Sequence, residues 1–302
     1  MTRSRPRGQA SRLGADAPAE LVLPDRRPDT DWLQFDIEVQ HPSAELYASL
    51  GGAIRELLAD RTVLDAFFVH RESGIRLRFR PTVPGRADVA TSCRRLLTAV
   101  TLTGLADGWG DAVYEPQQRL FDGPVSMRSV HRIFTADSLA WLSFHALPRQ
   151  AGATSMSTAS IWAMSLLMVR GLLDALHIVG WEDVDVFDRV GRDSGQELAG
   201  AADDVIQAQQ LGQTLLAGWA KPDHLRSVLP RGAEAVLAEY ERAVQAEAKR
   251  WRADYFTAPG ARVSPRQAVA RTVLFHWNRA RLPAHHQAQI ANLLAASHDE
   301  AR

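Results

Sequence analysis

From residue 32 the hydrophobic and polar positions alternate. Leu33, Phe35, Ile37 and Val39 fall on one face and Gln34, Asp36 and Glu38 on the other, the period of a half-buried strand. Pro42 and Ser43 then open a helix, within which Leu46, Leu50, Ile54 and Leu57 recur at helical spacing. Residues 66–70 form a second strand, Glu72-Ser73-Gly74 a turn, and residues 75–80 a third strand of strict alternation, stopped at Pro81. Residues 86–105 read as helix and 109–114 as a fourth strand that ends at Glu115-Pro116. The order β-α-β-β-α-β predicts an α+β fold opening with a ferredoxin-like sandwich. Both helices then share one face of the sheet, and the other face needs a cover or a ligand.

Everything after Gly123 predicts helix. Residues 124–147 carry Met127, Val130, Ile133 and Leu139, and residues 158–179 are apolar nearly all round, as in a helix buried among others. Amphipathic stretches follow at 181–190, 197–217, 233–251 and 265–282, and a last helix runs from Pro283 to about residue 297. Residues 1–30, rich in Arg, Pro, Ala and Gly and without periodicity, read as a disordered tail. The expected division is a tail at 1–30, a sandwich at 31–122, and a helical region at 123–302 packed with the sandwich as one unit.

Composition narrows the function classes. The 302 residues are 46% apolar and 23% charged, which argues against wholesale disorder. The 35 Lys and Arg cancel the 35 Asp and Glu, so bulk charge offers no attraction to nucleic acid or to an anionic membrane. Cys93 stands alone, without a partner for an internal disulfide or for a Cys-rich metal site. No export signal is visible at the N-terminus, and a cytoplasmic location is expected. Arg170 and Asp174 interrupt the most apolar stretch, which therefore reads as a core helix rather than a membrane span. No phosphate-cradling glycine motif, HExxH or CxxC occurs, and neither a metal nor a cofactor is expected.

Four places could carry chemistry. Arg76, Arg78 and Arg80 share one strand face, either as a solvated surface or as a grip for carboxylate or phosphate, whose oxygens match the arginine fork. His276 lies on the apolar face of its helix with Val269 and Val273, as a satisfied core histidine or as part of a site crowded by Trp277, Asn278 and Arg279. Tyr114 and Glu115 leave the fourth strand toward Arg119, as site residues or loop caps. Asp137-Ser138 interrupts an apolar helix and could cap a fresh start.

The order FFVHR-x-SGIRLRFRP, TGLADGW…YEPQQRLFDGPVSMRSVHRIFTADS, GWEDVDVFDRV and VLFHWNRARLP resembles the thiopeptide-type bacteriocin biosynthesis proteins over residues 31–294. These are stand-alone relatives of the C-terminal, glutamate-eliminating domain of class I lanthipeptide dehydratases. The resemblance implies a lyase acting on a leader-bearing precursor peptide. A separate glutamyl-tRNA-dependent protein would glutamylate its Ser and Thr, and this chain would expel glutamate to leave dehydroalanine or dehydrobutyrine. It also admits two alternatives, a pyridine-forming aza-[4+2] cycloaddition and a non-catalytic leader-binding subunit. Neither direct nucleic-acid contact nor a membrane is implied, and a homodimer is possible. Carried over by position, Arg76, Arg78 and His276 are the expected catalytic residues, with Tyr114, Glu115, Arg119, Asn278 and Arg279 as substrate-binding residues. The chain departs from the longer enzymes where they have Arg-Tyr before a Gly-Gly turn: here stand Leu120-Phe121, then Asp122 in place of the first Gly. The His-Trp-Asn-Arg spacing is also shorter than their His-x-x-x-Asn-Arg, which leaves Ala280-Arg281 and Asn278-Arg279 as competing matches.

Overall fold

A computed structural model describes residues 31–148, 156–194 and 217–296. The tail at 1–30 and nearly all of the helix expected at 197–217 lie outside the described residues. Strand β1 (Leu33–Glu38), helix α1 (Ala44–Ala59), strands β2 (Val63–Arg71) and β3 (Gly74–Pro81), helix α2 (Arg86–Leu102) and strand β4 (Gly108–Ala112) follow the expected order. The strands pair antiparallel in the order β2-β3-β1-β4, the ferredoxin-like arrangement. Tyr114 falls beyond the end of β4, which stops two residues earlier than its pattern predicts.

Period-two alternation assigns each side chain to a face. Phe35, Ile37, Phe68, Ile75, Leu77 and Phe79 share a buried layer with Leu46, Leu50 and Ile54 of α1 and Val89, Cys93 and Leu97 of α2. The opposite face carries Phe67, Arg78 and Gln34 in one row and Arg76 and Asp36 in the next.

After β4 the chain makes a 3₁₀ turn at Gln118–Phe121, and Asp122 and Gly123 turn it with φ of 58° and 94°. Helices α3 (Pro124–His145), α4 (Thr158–Ala175), α5 (Trp181–Ser194), α6 (Pro222–Arg226), α7 (Ala233–Trp251), α8 (Pro265–Arg279) and α9 (Ala284–Ala296) follow, with a π-helical turn at Arg252–Phe256 extending α7. Ser157 and Ser264 accept from backbone N–H groups in the first turns of α4 and α8, satisfying donors that a helix start leaves unpaired. One hydrophobic cluster runs continuously from the sheet through α3 to α9.

Helix α3 runs unbroken for 22 residues, so Asp137-Ser138 does not cap a new helix. Both residues point inward, and the reason lies in β2. This strand is an edge strand, and α3 and α8 cover its outer side. A buried backbone amide or carbonyl without a partner is costly, and no strand lies there to supply one. Side chains do so instead. Thr135 Oγ1 accepts from Ala66 N at 3.1 Å and Ser138 Oγ from Phe68 N at 3.1 Å. Arg279 Nε donates to Phe68 O at 2.9 Å. Asn278 Oδ1 accepts from His70 N at 2.7 Å while its Nδ2 donates to His70 O at 3.0 Å, copying the double bond of a neighbouring strand.

Replacing Ser138, which is fully buried, should therefore expose the cost of an orphaned amide. Ser138→Ala is expected to lower unfolding free energy by about 1–3 kcal/mol, read as a lower urea midpoint at unchanged slope. A midpoint equal to the parent's would show that the edge does not need this bond.

Candidate active site

Two members of the arginine stripe are neutralised by cross-strand carboxylates. Arg76 donates twice to Asp36, directly opposite on β1, at 2.7 and 2.8 Å, and Arg71 reaches the same carboxylate. Asp36 is held below its ordinary range, chiefly by the hydrogen bond from Arg76. Arg80 lies 2.7 Å from Asp65, its partner across β2 and β3. Arg78 differs. Its opposite residue on β1 is the neutral Gln34, whose Oε1 accepts from Arg78 Nε at 2.7 Å. Its guanidinium lies 4.5 Å from the centre of the Tyr114 ring and 5.1 Å from that of Phe67. Burial lowers its pKa to about 10, opposed by Tyr114 and, more weakly, by Asp36, and reinforced by Arg76 and Arg279. Arg78 is the half-buried cation of the stripe that forms no ion pair among the described residues.

Beside it, Tyr114 Oη shares a 2.9 Å hydrogen bond with His131 Nε2 of α3. Burial, with Arg80 and Arg78 nearby, pushes His131 down to about 3 and keeps its imidazole neutral. Across Phe67 from Arg78 lies a second guanidinium, that of Arg279, 5.8 Å from the same ring and 4.4 Å from Phe134. Arg279 is fully buried and donates to Asp137 Oδ2 at 2.9 Å, while His276 Nδ1 lies 2.6 Å from Asp137 Oδ1. Burial alone would raise the Asp137 pKa, but His276 and Arg279 outweigh it, and the carboxyl is held below its ordinary range.

The structure thus gathers Arg78, Tyr114 and Arg279 around Phe67 and ties Asn278 to the β2 edge just behind them. Arg76 lies one row along, already clamped to Asp36. Glu115 and Arg119 are exposed on the loop and 3₁₀ turn. His276 is 3% exposed, and its Nε2 is 2.9 Å from Ser165 Oγ of α4, so both nitrogens are engaged in the core. From there it meets Asp137 and Ser165, not solvent. Sequence reasoning did not single out Gln34, Phe67 or His131. Gln34 stood in the polar register of β1 opposite Arg78, a signal legible only once the strand order is known. Among the described residues, no group of three or more His, Cys, Asp and Glu is arranged to hold a metal ion, and no helix is long and apolar enough to cross a membrane.

Comparison with known proteins now places the chain. The family model described as lantibiotic biosynthesis dehydratase C-term matches residues 32–298. Among solved structures, the chain is similar to the tRNA-dependent lantibiotic dehydratase MibB from Microbispora sp. 107891, at 19% identity and a TM-score of 0.62, covering 90% of this chain and 28% of that one. It is also similar to TbtD, the pyridine synthase from thiomuracin biosynthesis, at 12% identity and a TM-score of 0.52, covering 89% of this chain and 98% of that one. A comparison with curated protein sequences finds no match.

The Asp65–Arg80 pair makes a testable claim about pH. Asp65 has no exposed side-chain surface, and neither carboxylate oxygen accepts a well-formed hydrogen bond, so burial raises its pKa from 3.8 to about 6 against the pull of Arg80. A carboxyl whose folded pKa is raised binds its proton more tightly when folded, so stability falls as pH rises from about 4 to about 6. Relative to the parent, Asp65→Asn should gain up to about 3 kcal/mol between pH 4 and pH 7, at about 1.4 kcal/mol per pKa unit. A stability difference that is flat across that range would refute the buried-carboxyl account.

Proposed function

This chain belongs to the lantibiotic biosynthesis dehydratase C-terminal family, and on that premise we propose that it eliminates glutamate from glutamylated Ser and Thr of a ribosomal precursor peptide. The observation that carries the reading is Arg78. A guanidinium stripped of much of its water, packed against two aromatic rings and without an ion pair among the described residues, is stabilised by an incoming carboxylate. A glutamyl ester brings such a group. A base accepts the α-proton, the electron pair left behind forms the Cα=Cβ bond, the Cβ–O bond breaks, and glutamate departs as a carboxylate whose charge Arg78 balances. Tyr114 and Gln34 hold the guanidinium at the site, and Arg76 serves through its clamp on Asp36. His276 has a structural part, fixing Asp137 and through it Arg279 in the core behind Phe67. Glu115 and Arg119, on the exposed rim, would meet the peptide.

The partners in this reading are the leader-bearing precursor and a separate glutamyl-tRNA-dependent glutamylating protein. An extended peptide can join the sheet by strand addition. The β2 edge is already closed by side chains, so the outer edge of β4, which no described strand pairs, is the place for it.

One observation favours a second reading, the pyridine-forming cycloaddition. Where the resemblance to full-length dehydratases expects Arg-Tyr, Phe121 is fully buried and the carbonyl of Leu120 accepts from Arg271, so positions 120 and 121 themselves bring no guanidinium to the site. Mass spectrometry separates the two when the protein is incubated with a glutamylated precursor and, separately, with one that already carries dehydroalanines. Repeated losses of glutamic acid from the first mark elimination, and loss of the leader with ring closure from the second marks the cycloaddition.

Under the elimination reading, Arg78→Ala should cost on the order of 10²–10³-fold in turnover, the scale of a lost charge-stabilising donor. Arg78→Lys should recover only part, because an ammonium cannot reproduce the fork. Arg76→Ala should cost less, since its partner Asp36 keeps Arg71. His276→Phe should lower the melting temperature by several degrees while the folded fraction stays active below it. Full turnover by Arg78→Ala would remove the proposal, and an inactive His276→Phe of unchanged melting temperature would restore His276 as the proton-handling residue.

A further inference from the structure

On the α1 side of the sheet, away from Arg78, lies a cavity of about 690 Å³. It sits between the loop after β1, the end of α3, the first turn of α4 and the α8–α9 turn. Its size is that of a small-molecule site. The floor is aromatic. His145 stacks between Tyr47 at 4.7 Å and Trp141 at 5.3 Å, with both ring pairs inclined by 29°. A carbonyl can only accept, so His145 Nε2 carries a proton and donates it to Arg279 O at 2.9 Å. By the same logic His70 Nδ1 donates to Asn278 O at 2.9 Å, and its Nε2 accepts from the Tyr47 hydroxyl at 2.8 Å. Met156, Ile161 and Leu282 supply apolar wall.

Three features define what would fit. The ionisable groups lining the cavity are Arg281, Tyr47 and the imidazoles of His41, His145 and His286, and no described Asp or Glu lines it. Trp162, fully buried in its wall, has an indole N–H without an acceptor among the described residues. Arg281, at the rim, forms no ion pair among the described residues. It adopts a left-handed φ of 57° where α8 ends and Leu282 N reaches back to Trp277 O at 3.1 Å. That conformation is uncommon outside glycine and asparagine. A cavity with apolar walls, donors and no acidic side chain is complementary to an anion carried on a hydrophobic body.

We propose that this cavity binds a hydrophobic carboxylate, its carboxyl meeting Arg281 and the Trp162 N–H and its apolar or aromatic body resting against Ile161 and Leu282. The source is either a free small acid or the carboxyl-terminal residue of a peptide. The site lies across the sheet from Arg78 and does not depend on the elimination reading, so its test uses no glutamylated substrate.

Titration calorimetry compares N-acetyl-L-phenylalanine with N-acetyl-L-phenylalaninamide, and a pentapeptide ending in phenylalanine as the acid with the same peptide as the amide. Each acid should bind at least tenfold more tightly than its amide. Arg281→Gln, with a melting temperature near the parent's, should bring acid and amide to equal affinity, and Ile161→Trp should fill the cavity and abolish both. Equal affinity of the free acid and the peptide acid assigns the site to small acids, and a peptide at least tenfold tighter assigns it to peptide termini. Equal binding of acid and amide to the parent protein, no binding of either at millimolar concentration, or an acid affinity untouched by Arg281→Gln overturns the proposal.

Discussion

A strand buried at its free edge must find partners for each amide and carbonyl that a neighbouring strand would have met. In this protein β2 is that strand, and meeting its demand organises the helical half of the chain. Thr135 and Ser138 on α3 and Asn278 and Arg279 on α8 stand in for the missing strand. Arg279 cannot be spent on one carbonyl without a counter-charge, and Asp137 supplies it, with His276 on its other oxygen. An ion pair with no access to solvent is stable only as a set, since removing one member strands the rest in a medium of low dielectric. The sandwich and the helices therefore meet through a fixed hydrogen-bond lattice as well as through a shared apolar core.

The same accounting explains the stripe on the open face. Alternate arginines on one strand repel each other until each finds a neighbour across the sheet. Two find carboxylates, and the middle one finds an amide and two aromatic rings. The imbalance at Arg78 comes from a single register position, Gln34 where Asp36 stands two residues on. A polar, uncharged neighbour orients the guanidinium without consuming its charge, as anion recognition requires.

Much of the fold was legible in the sequence because its elements announce themselves by period. The switch from alternation at 33–39 to helical spacing at 46–57 and back gives the order of the sandwich, and the all-round apolarity of 158–179 gives the burial of α4. The arginines of β3 and the FHWNR segment also stood out. Their partners did not. A cross-strand neighbour depends on strand order, so Gln34 and Phe67 carry no local signal. Asp137 and Ser138 look like a helix start when read alone, because the short polar side chains that cap helices are also those that satisfy a strand edge. Asn278 and Arg279 read as site residues for a similar reason, and the structure ties both to backbone. Burial of His276 was visible in its helix face, but Asp137 and Ser165, distant in sequence, were not.

The contacts that finish β2 have a bearing on how the protein is made. His70 and Asn278 are 208 positions apart, and Phe68 and Arg279 are 211. A ribosome releases the sandwich and α3 long before it releases α8, so for much of synthesis the nascent edge stays open at His70 and at the Phe68 carbonyl. Such edges pair with other strands and seed aggregation. Synthesis of the last helices thus brings a quality-control step with it. Chains interrupted before residue 278 would carry a complete sheet that remains adhesive, and chains that reach it would silence the edge by folding.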